Sequence, residues 1–162
     1  MDIEIQVLLV EDDPRDLRLM VRQLQNQNWN CRIQVARDGE EALDIVFRRG
    51  IHANAPAPDR PHVVLLDLKL PKVDGLEVFR EIKSRPETRM IPVIALTSSG
   101  EEKDRIDCYN LGVNGYVQKP VDFEQFRSTI KAMGLYWLAI NLPPPDKMFA
   151  RSGDETPHDR KG

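Results

Sequence analysis

Apolar and polar positions along this chain follow two alternating periods, and the change from one to the other recurs five times. Four short runs, Gln6 to Val10, Val63 to Leu66, Pro92 to Leu96 and Gly115 to Gln118, are bounded by turn residues and are too short for helices. They predict buried strands. Cys31, Ile33 and Val35 alternate with Arg32 and Gln34, which predicts an edge strand wetted on one face. Between these runs the apolar residues recur at helical spacing. Leu17, Met20, Val21 and Leu24 form the stripe of a first helix that starts at Asp13, with Pro14 at its first position. Asp38 caps a second helix, Glu41 three residues on completes the cap, and Ala42, Leu43, Val46 and Phe47 supply its apolar face. Leu76, Phe79 and Ile82 do the same for a third. Ile106 and Tyr109 mark a shorter fourth, ended by Gly112 as a left-handed cap, and Asp122 with Gln125 caps a fifth.

Five strand-helix units with right-handed crossovers predict an α/β fold, a doubly wound five-stranded parallel sheet of strand order 2-1-3-4-5, flavodoxin-like. In such a sheet the carboxyl ends of all strands share one edge, and the first strand faces the third at the switch point. Glu11 and Asp12 follow the first strand, Asp67 the third, Thr97 the fourth and Lys119 the fifth. Two acids, a third acid, a hydroxyl and an ammonium therefore converge. Three carboxylates so placed repel one another unless a hard cation sits among them, and Mg²⁺ is the natural choice. Each residue alone has a plainer reading. Asp13 is a helix cap, Thr97-Ser98 could begin a loop, Lys119-Pro120 looks like a turn and Tyr116 could be core. His52, His62 and His158 stand at no ligand or nucleophile spacing and read as incidental. No glycine-rich phosphate loop is present, which argues against a nucleotide-binding kinase.

Composition narrows the class. The 162 residues suffice for one domain with a core, the formal charge is −3 with a pI near 5.7, and no Lys/Arg run forms a phosphate-tracking patch, so nucleic acid is not an expected partner. The amino terminus lacks a basic export segment and no apolar stretch approaches membrane-spanning length; a cytoplasmic protein with no membrane partner is expected. Cys31 and Cys108 are expected to be two buried reduced thiols. Seven of the 12 prolines fall in the segments Gly50 to Pro61 and Pro143 to Gly162, which read as an exposed loop and a disordered tail.

The ordered strand-end set resembles the receiver domain of two-component response regulators, over about residues 5 to 133. The resemblance implies that Asp67 is the phosphoacceptor, Glu11 and Asp12 the acidic pair, Thr97 the hydroxyl, Lys119 the lysine and Tyr116 the switch aromatic. It also implies Mg²⁺ as cofactor, with Asp12 and Asp67 as direct ligands, Glu11 acting through water and the backbone carbonyl of Lys69 completing the set. A cis peptide before Pro120 is implied as well. The expected role is that of a phosphorylation-controlled binding module, not an enzyme, which takes its phosphoryl group from the phosphohistidine of a sensor histidine kinase. One alternative is an aspartyl-phosphate phosphatase of the haloacid dehalogenase type, but the second aspartate that family needs is replaced by Lys69. A phosphorylation-independent adaptor is the other, and it is disfavoured because every acid, the hydroxyl and the lysine are present.

The expected organisation is a receiver over residues 4–133, an apolar extension of the last helix over 134–145 and a tail over 146–162. No helix-turn-helix fits after Leu142, so a stand-alone receiver is expected. The ending Tyr136-Trp137-Leu138-Ala139-Ile140-Asn141-Leu142-Pro143-Pro144 resembles the small response regulators paired with phytochromes, which makes a bacteriophytochrome the expected kinase. Phe126, Ile130, Met133, Trp137 and Ile140 recur at the spacing of a helix that packs along another helix. A homodimer through that seam is expected; the alternative is that the segment folds back on its own domain as a cap or forms an edge strand after Gly134.

Overall fold

The computed structural model describes residues 3–54 and 60–149. Its five strands, β1 (Ile5–Val10), β2 (Cys31–Ala36), β3 (Val63–Leu66), β4 (Val93–Thr97) and β5 (Gly115–Gln118), are all parallel and lie in the order β2-β1-β3-β4-β5. Five helices alternate with them: α1 (Pro14–Gln25), α2 (Gly39–Phe47), α3 (Gly75–Ser84), α4 (Glu102–Asn110) and α5 (Phe123–Gly134). Among the described residues, no helix is long and apolar enough to cross a membrane.

Strand alternation sorts the core into two halves. Leu8, Val10, Val64, Leu66, Val93 and Ala95 point to one face and pack with α2, α3 and Cys108 of α4. Ile5, Val7, Leu9, Val63, Leu65, Ile94 and Leu96 point to the other and pack with α1 and α5. β1, β3 and β4 are covered on both faces, hence their nearly unbroken apolar runs; β2, at the edge, is only half-buried. The helix starts form as their caps dictate. Asp13 accepts from the N–H groups of Arg15 and Asp16, Asp38 from Glu41, and Asp122 from Gln125. Gly112, at φ +87°, ends α4 in the left-handed conformation that glycine adopts without strain.

Several expectations need correction. Ile106 and Tyr109 do not face the core; they are exposed, and Cys108 is the residue α4 buries. A helix this polar shows too little apolar periodicity for its face to be read. Cys31 is half-buried instead of fully buried. The seam on α5 points inward, since Phe126, Ile130 and Met133 are buried in the chain's own core. The spacing does describe a helix packed along a helix, but the partner is α1 of the same domain.

Beyond α5 the chain continues as a π-helical turn, Leu135–Ile140. Leu138 is buried and Trp137 half-buried against the α1/α5 side of the core, so the fold-back alternative holds for these two side chains. Gly134 lets Trp29 pack against the end of α5, because a Cβ there would lie 2.3 Å from a ring carbon of Trp29. Leu135, Tyr136, Ile140 and Leu142 remain exposed. Asp146–Phe149 then forms a 3-10 turn, so the first residues of the expected tail are placed against the domain. His62 is the reason. It is 3% exposed, its Nδ1 accepts the Gln6 N–H at 2.8 Å, and its Nε2 meets Asp146 Oδ1 at 2.9 Å. The histidine read as incidental is a structural tie. His158 and residues 150–162 lie outside the described residues.

Candidate functional site at the carboxyl edge of the sheet

Paired register brings the acids together. Val10 lies opposite Leu66, so the residues that follow each strand, Glu11 and Asp67, leave the sheet side by side, and Asp67 N–H bonds the Val10 carbonyl at 3.0 Å. Ligand oxygens of Glu11, Asp12 and Asp67 lie within 4.8 Å of one another. Glu11 and Asp67 are buried, whereas Asp12 is exposed, which leaves the cluster one open side. The loop after Asp67 is held tightly. Lys69 N–H bonds Asp67 Oδ1 at 3.2 Å, and Gly75 N–H bonds the Leu68 carbonyl at 2.9 Å. A Cβ on Gly75 would lie 2.1 Å from the Asp67 carbonyl oxygen, so glycine is required for the start of α3 to pass so near. The Lys69 side chain is exposed, as expected if only its carbonyl serves the site.

Lys119 closes the cluster from β5. Its N–H bonds the Thr97 carbonyl at 2.7 Å, and its ammonium reaches Glu11 Oε2 at 2.5 Å, Asp16 Oδ2 at 3.0 Å and Asp67 Oδ2 at 3.1 Å. Asp16 is a member the sequence reading missed. Its position one turn into α1, three residues after the cap Asp13, was the available signal. The electrostatics are lopsided, with one ammonium among four carboxylates. Burial pushes the Glu11 carboxyl up to about 7, against the opposing pull of its Lys119 and Asp13 hydrogen bonds. Burial also works against the Lys119 ammonium, but the bond to Glu11 and the charge of Asp67 more than offset it and hold its pKa above the ordinary lysine value. A buried cluster with excess negative charge and an open side fits a small divalent cation taking oxygen ligands. Glu11, Asp12 and Asp67 are the residues that could hold it.

Thr97, at the end of β4, is fully buried, and its Oγ1 accepts the Ser99 N–H at 3.2 Å. Tyr116 is half-buried, and its hydroxyl donates to the Ser99 carbonyl at 3.0 Å. The two therefore meet through Ser99. Burial raises the Tyr116 hydroxyl above its ordinary pKa. All the residues expected at this edge, Glu11, Asp12, Asp67, Lys69, Thr97, Lys119 and Tyr116, thus gather in one region.

Comparison with known proteins agrees with this geometry. Residues 7–131 match the response regulator receiver domain family. The chain belongs to that family. It is therefore a signalling domain of two-component systems, whose members are phosphorylated on an aspartate, and the phosphatase alternative is set aside. The probable methanogenesis regulatory protein FilR2 of Methanothrix harundinacea is 39% identical over 85% of this chain and 86% of its own length. Response regulator Rcp1 of Synechocystis sp. is 38% identical over 85% of this chain and 92% of Rcp1. The Mn(2+)-bound structure of Rcp1 superposes with a TM-score of 0.83, covering 87% of this chain and 99% of that one at 36% identity. The bacteriophytochrome response regulator RtBRR is 47% identical, with a TM-score of 0.69 over 90% of this chain and 87% of RtBRR.

Proposed function

We propose that Asp67 is the phosphoacceptor, and that its donor is the phosphohistidine of a bacteriophytochrome sensor kinase. One observation carries the assignment: Asp67 is the carboxylate that belongs to the acidic cluster and also touches Lys119 from the central strand β3. Glu11 touches Lys119 too, but it is the more deeply buried of the two, 1% exposed against 6% for Asp67. An Asp67 oxygen attacks phosphorus, the O–P bond forms as the N–P bond of the phosphohistidine breaks, and the leaving imidazole takes a proton from solvent. Lys119 and Thr97 then donate to phosphoryl oxygens. Glu11, Asp12 and Asp67 would hold Mg²⁺ with the Lys69 carbonyl, and the ion would supply the charge that lets an anion approach these acids. The Mn(2+)-bound form of Rcp1 supports a divalent ion, and the likeness to RtBRR supports a phytochrome partner. Acetyl phosphate with Mg²⁺ should add one phosphoryl group, labile to hydroxylamine, and Asp67→Asn should add none. Labelling that survives in the variant would reject Asp67.

A homodimer is the second part of the reading. Phe126, Ile130 and Met133 are committed to the core, so the contact moves to the exposed Leu135, Tyr136, Ile140 and Leu142 beside Trp137. A second copy of that apolar face is the covering it calls for. Sedimentation should give a dimer of the 18.6 kDa chain, which Tyr136→Glu with Ile140→Glu converts to monomer. A wild-type monomer at tens of micromolar would remove this part and leave the phosphoacceptor untouched.

A further inference from the structure

The loop between β4 and α4 contains a knot of hydrogen bonds centred on one residue. Ser99 is 5% exposed and uses every polar atom it has. Its N–H donates to Thr97 Oγ1 at 3.2 Å, its carbonyl accepts the Tyr116 hydroxyl at 3.0 Å, and its Oγ accepts the Glu101 N–H at 3.3 Å. Its own hydroxyl proton goes to Asp104 Oδ2 at 2.5 Å, the one bond of the knot made to a carboxylate. Bonds to an ionised acceptor are shorter and about twice as strong as neutral ones, so Asp104 is the anchor of the set. Asp104 sits in the first turn of α4, whose residue before the helix, Glu101, makes no side-chain cap. The anchor thus fixes the strand-end loop to the helix that follows it.

The consequence falls on Thr97. By accepting the Ser99 N–H, its oxygen gives up one lone-pair direction and its hydroxyl rotor loses freedom. What remains is the O–H proton, the group with which Thr97 meets a phosphoryl oxygen. We propose that Asp104 is a positioning residue for phosphoryl transfer: through the Ser99 hydroxyl it holds the loop that orients the Thr97 donor and seats the Tyr116 hydroxyl. Asp104 touches neither the acidic cluster nor Lys119, so it acts on the transfer without acting on the metal. The proposal rests on Asp67 being the phosphoacceptor.

The test is a double-mutant cycle on the full chain. Initial rates of phosphoryl uptake from acetyl phosphate are measured for wild type, Ser99→Ala, Asp104→Ala and the double variant, alongside the Mg²⁺ midpoint from thermal shifts. Each single variant should be about fivefold slower, the size expected for misplacing one hydroxyl donor, with an unchanged Mg²⁺ midpoint. The double variant should be no slower than Ser99→Ala, which already removes the bond to Asp104 along with the one from Glu101. Asp104→Asn keeps an oxygen acceptor and should recover most of the rate; Asp104 is only partly buried, so these variants should fold. A role confined to capping α4 would lower the melting temperature and leave the rate of folded protein intact. Unchanged rates, slowing that multiplies in the double variant, or a parallel loss of Mg²⁺ affinity would each overturn the proposal. A wild-type protein that takes no phosphoryl group would overturn the Asp67 assignment and this with it, whereas normal uptake in the variants overturns this alone.

Discussion

The two ends of the sheet bury similar numbers of polar groups and treat them in opposite ways. At the amino end, His62 is bonded through both ring nitrogens, Arg60 donates to the Glu87 carbonyl, and the Thr88 hydroxyl donates to the Ile82 carbonyl. Lys83 spends its ammonium on the carbonyls of Arg89 and Ile91, and burial lowers its pKa to about 8. Each of these groups has a hydrogen-bond partner of complementary polarity. At the carboxyl end one lysine serves Glu11, Asp16 and Asp67 at once, with Asp12 exposed beside them. Buried polarity is therefore no guide to function; an excess of one sign, left for a ligand to balance, is.

Removing the counter-charge breaks the carboxyl end hardest. In Lys119→Met three carboxylates lose their shared ammonium, and breaking a buried ion pair from one side costs about 3 kcal/mol. Thermal melts in a chelator should show that loss, and millimolar Mg²⁺ should restore part of it by binding the folded state. Phosphoryl uptake should stay impaired in Mg²⁺, because one of the two donors to the phosphoryl oxygens is gone. A variant as stable as wild type in the chelator would mean the three acids do not depend on Lys119.

A pH titration sharpens the same contrast. Glu11, raised from 4.5 to about 7, binds its proton more tightly in the folded chain than in the unfolded one. Its contribution to stability is therefore full below 4.5 and is lost as the pH rises to about 7. Without metal, wild type should lose on the order of 2 kcal/mol across that window relative to Glu11→Gln, as followed by urea melts. Equal slopes for the two proteins would show that Glu11 titrates normally.

How much of this was legible follows from the kind of signal each residue sends. Strand order and the site set could be read because period, chain order and strand ends are local facts, and Asp67 follows an apolar run whatever surrounds it. The caps Asp13, Asp38 and Asp122 were legible for the same reason. Asp16 was missed because its role depends on Lys119, far along the chain. Ser99 and Asp104 look like any loop serine and any first-turn acid. His62 was misread because its partner Asp146 lies in a proline-rich stretch with no periodicity. On α5 the spacing was correct, but a repeat of fours and threes says only that a helix meets a helix, not whose helix it is.

At the amino end the expected effect is smaller and confined to stability. His62→Phe leaves the Gln6 N–H without its acceptor, while Asp146, about half-exposed, returns to water. An unpaired buried donor costs between about 1 and 2 kcal/mol, so urea melts should move by that amount while the rate of phosphoryl uptake stays at the wild-type value. A changed rate would join the two ends and dissolve the distinction between them.

The smallest effect is the most discriminating, because Asp13 lies at the functional edge yet behaves like the amino end. It stands next to Asp12, but its Oδ1 already accepts from Arg15 at 2.8 Å and Asp16 at 3.3 Å, and those bonds hold its carboxyl below the usual range. That oxygen is spent on the helix. Asp13→Ala should cost about 1 kcal/mol, the worth of a cap, with the Mg²⁺ midpoint and phosphoryl uptake unchanged. Asp13→Asn should cost less, since asparagine caps as well. Asp12→Asn should do the reverse, leaving the metal-free melt almost unmoved and shifting the Mg²⁺ midpoint upward. If Asp13→Ala weakened Mg²⁺ as much as Asp12→Asn did, position at the edge would decide function, and the satisfaction of each carboxylate would not.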